Sequence, residues 1–141
     1  MYKLLSHTAD IRILARADSI ELLFESALEG LCNVLYDDLS ELKKEFKAES
    51  SEILISVETE SFDKSSLLID FLSACLSQMH LHNAIIFNIQ TITITNNSIF
   101  AIIAGSKVNS FDNDVKAVTY YDTNIKKDDD GLFEVIITLD I

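Results

Sequence analysis

Proline and tryptophan are absent from this 141-residue chain, and glycine occurs only three times. Without proline there is no Pro-rich linker to mark a domain boundary. Three glycines can hardly build a phosphate-cradling loop, and P-loop, GxGxxG, GxSxG, HExxH and EF-hand spacings are all missing. Cysteine is scarce as well: Cys32 and Cys75 both fall in apolar helical patterns and neither sits in a CxxC. A zinc site wants about four clustered nitrogen or sulfur ligands, so two buried, reduced thiols in a cytosolic protein are expected. No apolar run approaches the roughly 20 residues of a membrane span, and MYKLLSHTAD has no signal-peptide apolar core. The expectation is a soluble, cytoplasmic protein without membrane contact. Basic residues are few, 11 Lys+Arg against 23 Asp+Glu, for a formal charge of -12. That is the wrong sign for wrapping a phosphate backbone by counterion release, so direct nucleic-acid binding is not expected. An acidic surface suits divalent cations or a basic protein partner, and solubility alone accounts for it equally well.

What the chain does have is apolar pattern, with 48% hydrophobic residues in one domain's length, read as a single domain over 1–141. From 18 to 36, Ile20, Leu23, Phe24, Ala27, Leu28, Leu31, Val34 and Leu35 recur at spacings of three and four opposite Glu21, Glu25 and Glu29. This spacing predicts an amphipathic helix, with Asp18 and Glu21 as a capping box. A second helix is predicted over 64–82, with Asp63 as N-cap and Leu68, Phe71, Leu72, Cys75, Leu76 and Met79 as its stripe. His80 and His82 fall at its end, where surface positions or dipole partners are expected. Elsewhere the period is two: Ile11, Ile13 and Ala15 alternate with Arg12 and Arg16, and 52–58, 85–95, 98–104 and 114–121 are β-branched and apolar. Asn96-Asn97 predicts a hairpin turn built on positive φ, and Asp128 to Gly131 a second turn. In the last run Phe133, Val135, Ile137, Leu139 and Ile141 face one way, and Glu134, Thr138 and Asp140 the other. The polar stretch 105–114 reads as the mobile loop. The order strand, strand, helix, strand, helix, then strands in hairpins predicts an α+β fold, mainly antiparallel sheets packed with two long helices.

Two places could carry chemistry. Ser6-His7-Thr8-Ala9-Asp10 brings an imidazole, a hydroxyl and a carboxylate together where a loop enters a strand, and taken alone the segment reads first as a hydrogen-bonded turn cap of Thr8 and Asp10. Asp140 adjoins Ile141, so a side-chain carboxylate and a terminal α-carboxylate lie close together and are both ionised at neutral pH. A hard divalent cation, Ca²⁺, Mg²⁺ or Mn²⁺, would relieve that repulsion. The alternative is a frayed terminus solvated by water. If the fold brings Asp10 beside the last strand, the cation site is complete.

Read together, SHTADIRILARADSIELLFESALEG, SLLIDFLSACL, VKAVTYY and the closing LDI resemble the archease family over essentially the full length. The resemblance implies an archease-like α+β fold. It implies a divalent metal site at Asp10, Asp140 and Ile141, and an RtcB-type RNA ligase as partner in tRNA splicing and RNA repair. Family members are understood to promote GTP-dependent guanylylation of that ligase, so GTP would enter through the partner and the chain itself would not be an enzyme. Lys116, from the KAVTY segment, is a further candidate; an ion pair with Asp114 or Glu134 is its alternative. This chain departs from its relatives at Ser73 and Ala74, where acids are common in the second helix, and at Val108 and Asn109, where a Lys-His pair is common. Asp70 could substitute for the missing helix acid or simply face solvent. A chaperone-like module acting on RNA-processing or methylating enzymes is the alternative function, and a metal-dependent hydrolase a third, with only His7 to offer as a base.

Overall fold

A computed structural model describes residues 10–141. His7 and the first strand of the expected order lie outside the described residues. The elements run β1 (Asp10–Ala17), α1 (Ile20–Leu35), α2 (Leu39–Glu45), a 3-10 turn (Ala48–Ser50), β2 (Ile53–Glu60), α3 (Lys64–His82), β3 (Ala84–Ile94), β4 (Ser98–Lys107), β5 (Ala117–Thr119), β6 (Lys126–Lys127) and β7 (Phe133–Asp140). Two antiparallel sheets result. One has the order β1-β7-β5 with β6 also on β7, and the other the order β2-β4-β3.

The two long helices appear as the periodicity predicts, with one correction. Helix α1 is capped by Ser19, whose Oγ accepts from the Leu22 N–H at 3.2 Å, and not by Asp18. Asp18 stands one residue outside the cap, so the box with Glu21 does not form. Asp63 caps α3 as expected, accepting from the Ser66 N–H at 2.7 Å. The short α2 was not expected: seven residues with Leu39 alone buried leave too little period to read.

Each long helix touches strands of both sheets, so the inner sheet faces share one core. Helix α3 is covered on several sides and buries eight apolar residues, among them Leu67 and Ile69 beside the expected stripe. Phe24 of α1 meets Phe71 of α3 with ring centroids 5.9 Å apart. Cys32 and Cys75 are buried free thiols in this core. No helix among the described residues is long and apolar enough to cross a membrane.

Three loop expectations change. The Asn96-Asn97 turn closes through Thr95 N–H to Ser98 O at 2.9 Å, and neither asparagine has positive φ; among non-glycine described residues only Asn83 and Asp122 do. Strand β4 runs on through Gly105 to Lys107, and the following segment is tied down instead of loose. Asn83 Nδ2 donates to Val108 O at 2.8 Å, Asn113 Nδ2 to Val34 O at 2.8 Å, and the Asp112 N–H to Leu35 O at 2.8 Å. The strand expected over 114–121 shrinks to three residues: before it the Val115 carbonyl accepts from His80 Nε2 at 3.0 Å, and after it the Thr123 N–H turns back to the Tyr120 carbonyl at 3.2 Å.

Candidate metal site

The site begins with a register. β1 and β7 run antiparallel with Asp10 opposite Asp140, Arg12 opposite Thr138 and Arg16 opposite Glu134. Directly opposed residues project to one face with Cβ atoms about 4.5–5.5 Å apart, so Asp10 and Asp140 are neighbours on the outer face of the sheet. Beneath them Ile11, Leu139 and Val118 anchor the three strand ends in the core. On the far side of β7, Ala117 is opposite Asp140 and Thr119 opposite Thr138.

Like charges directly opposed in a sheet destabilise it, and no ion pair among the described residues includes Asp10 or Asp140 to relieve this one. The closest arginine along β1, Arg12, turns to Asp122 at 3.5 Å, an exposed pair of little worth. Arg16 is engaged with Asp128 and with Glu134 at 3.2 Å. The two carboxylates border an open depression of about 390 Å³, lined also by Thr119, Tyr121, Thr138 and Leu139.

Thr138 is the buried polar residue of the described chain, 5% exposed, and its Oγ1 has no hydrogen-bond partner among the described residues. Leaving such a group unsatisfied costs about 1–3 kcal/mol. The sequence pattern set Thr138 on the Asp140 face but gave it no role; its position two residues before Asp140 was the available signal.

The donor chemistry fits a hard divalent cation: two carboxylates and a hydroxyl offer only oxygen. Among the described residues no three His, Cys, Asp or Glu side chains come together, so the carboxylates described at this depression are the Asp10–Asp140 pair. Ile141 directly follows Asp140 at the end of β7 and is half-buried.

The remaining candidates separate. Lys116 precedes β5 by one residue, is exposed, and donates its backbone N–H to Asp140 O at 2.7 Å. It makes no ion pair among the described residues, and Glu134, one of its expected partners, belongs to Arg16. Asp70 does not line the Asp10–Asp140 depression. It is half-buried on α3, where its carboxylate accepts from Ser61 Oγ and from the Tyr120 hydroxyl, and it borders a different cleft with Glu60, Phe62 and Ser66. It is therefore neither a ligand beside Asp10 nor a free solvent-facing acid. The bond to Asp70 raises the Tyr120 pKa above the ordinary tyrosine value. Sequence reading missed this link, since fifty residues separate its ends.

Comparison with known proteins agrees with this architecture. Residues 2–141 match the model of the archease protein family. The chain is 31% identical over 134 residues to protein archease of Methanosarcina mazei, covering 89% of this chain and 86% of that one. It is 32% identical over 138 residues to protein archease of Methanosarcina barkeri, covering 92% and 89%. Among solved structures, protein 1598 of Methanobacterium thermoautotrophicum superposes with a TM-score of 0.73 at 24% identity, covering 97% of this chain and 96% of that one. An archease of Thermotoga maritima described as a possible chaperone gives 0.60 at 17% identity, covering 100% and 98%. At those identities the two structures speak for the fold alone.

Proposed function

Since the chain belongs to the archease protein family, we propose that it is a non-catalytic accessory protein that holds a divalent cation at its sheet edge and activates an RtcB-type RNA ligase. The observation that carries this reading is the direct opposition of Asp10 and Asp140 with no cationic partner among the described residues. A local conflict of that kind, kept in an otherwise consistent sheet, marks a functional position.

Asp10 and Asp140 would hold the ion from two strands, and the reading assigns the Ile141 α-carboxylate as the third oxygen group. Ca²⁺, Mg²⁺ and Mn²⁺ all suit such donors. A divalent ion bound there supplies charge neutralisation for nucleotidyl transfer from GTP to the ligase. The chain's own residues supply placement. β1 and β7 fix the two carboxylates at one register, the backbone of Lys116 ties β5 to Asp140, and the exposed Lys116 would offer its ammonium to an anionic nucleotide held by the partner. The net charge of -12 argues against this chain gripping RNA itself. Activity in tRNA splicing or RNA repair in the cytoplasm would then follow from the ligase.

The test is guanylylation of the cognate ligase with GTP and a divalent metal under multiple-turnover conditions. Wild type should accelerate it, and Asp10→Ala or Asp140→Ala, still folded, should not. Acceleration by all three would remove the metal from the mechanism; acceleration by none would remove the activator reading. A tag fused after Ile141 should also impair activation, because an amide there cancels one carboxylate charge.

One observation favours a second reading, a chaperone-like module: Phe62 is 87% exposed, Tyr120 is exposed in the same cleft, and Tyr121, next to Tyr120 in the chain, is exposed as well. That reading predicts partner activity that survives Asp10→Ala and Asp140→Ala but falls with Phe62→Ser.

A further inference from the structure

We propose that the Thr138 hydroxyl belongs to the cation site, giving an oxygen to the ion that Asp10 and Asp140 would hold; the inference rests on the reading of that pair as a cation site. Thr138 is buried, on the same sheet face as Asp140 two residues on, and diagonal to Asp10 across the β1–β7 ladder. It lines the same depression as both carboxylates. Its Oγ1 is the buried side-chain polar atom that no described residue satisfies.

The neighbours that ought to satisfy it are otherwise engaged. Arg12, directly opposite on β1, is turned to Asp122. Thr119, opposite on β5, donates its hydroxyl to the Thr138 carbonyl at 3.1 Å and so serves the backbone, not the side chain. Valine has nearly the same shape and no hydroxyl to desolvate, so packing alone would favour valine here. A buried polar group that no described residue pairs calls for a reason, and a threonine oxygen, with two lone pairs, is a hard donor of the kind the ion's shell needs. Groups that support a metal site in this way typically change its affinity about 10- to 100-fold when removed.

The experiment is Ca²⁺ titration of the full chain by calorimetry, with thermal melts in chelator, for wild type, Thr138→Val and Thr138→Ser. The expected result is that Thr138→Val melts no lower than wild type in chelator yet binds Ca²⁺ about 10- to 100-fold more weakly, while Thr138→Ser keeps most of the affinity. A merely structural threonine would not separate melting from binding in this way. Unchanged affinity in Thr138→Val overturns the inference and leaves the Asp10–Asp140 reading standing. Wild type that binds no Ca²⁺, Mg²⁺ or Mn²⁺ overturns both. Should Thr138→Val not fold, Thr138→Ala and Thr138→Ser shed the same methyl and differ in the hydroxyl, so equal affinities in that pair overturn the inference too.

Discussion

Asp128 illustrates how single side chains hold the turn before β7. Its carboxylate accepts from the Arg16 guanidinium and from the backbone N–H groups of Leu132 and Asp130, each at 2.9 Å, and these bonds hold its pKa below the usual carboxylate value. A depressed carboxyl stabilises the fold above the unfolded pKa of about 4 and loses that contribution as pH falls through its folded value. Asp128→Asn should therefore lower the melting temperature at pH 7, with the gap to wild type closing only as the pH falls below the ordinary carboxylate pKa of about 4. A gap that stays constant with pH would sever Asp128 from this role. The cysteines make a second case. Burial pushes the Cys32 thiol up to about 12 and raises Cys75 as well. Reactivity follows the thiolate, so a disulfide-exchange reagent at pH 8 should label neither thiol in the native protein and both after denaturation. Rapid native labelling would mean that the α1–α3 core opens readily.

At the scale of elements, Gly105 explains why β4 runs further than composition suggests. An added Cβ would meet the Ile85 carbonyl oxygen at 2.1 Å and Ile86 Cα at 2.6 Å, both backbone atoms that cannot swing aside. Gly105 is thus a close approach of β4 to β3, just where the register slips between Ile86 and Asn88. Gly105→Ala should destabilise the protein by about 3 kcal/mol, read from chemical denaturation; a loss of a few tenths would show that the sheet yields. The same element shows what sequence could convey. A polar run beginning with glycine reads as loop, and only the β3 bulge, a tertiary feature, makes that glycine a strand residue. Asp63 was legible as a cap because a long apolar stripe follows it at once, whereas Ser19 was masked by the adjacent Asp18, an equally good capping type. Helix α2 has too few buried residues to carry a period. Strand β5 starts only at Ala117, and just before it His80, 35 residues away, takes the Val115 carbonyl.

For the whole molecule, the Asp10–Asp140 pair is a product of chain topology. Period-two alternation put Asp10 and Asp140 each at the end of an amphipathic strand, but nothing local says that β1 and β7, from opposite ends of the chain, pair with those residues opposed. The family resemblance supplied that juxtaposition, and the register now gives it a physical form. What no pattern supplied was the buried Thr138 hydroxyl or the Tyr120–Asp70 link, since both depend on which neighbours are already engaged. The acidic balance of the whole chain acts in the same direction as the pair. A net charge of -12 raises the local concentration of cations around the surface and keeps polyanions away. Selectivity for one place on such a surface must then come from geometry, and that can be observed. In a crystal soaked in Mn²⁺, an anomalous difference map should show a peak in contact with the carboxylates of both Asp10 and Asp140. A map empty there, with manganese at the Asp128–Asp130 turn or nowhere on the chain, would contradict the assignment of this pair as the cation site.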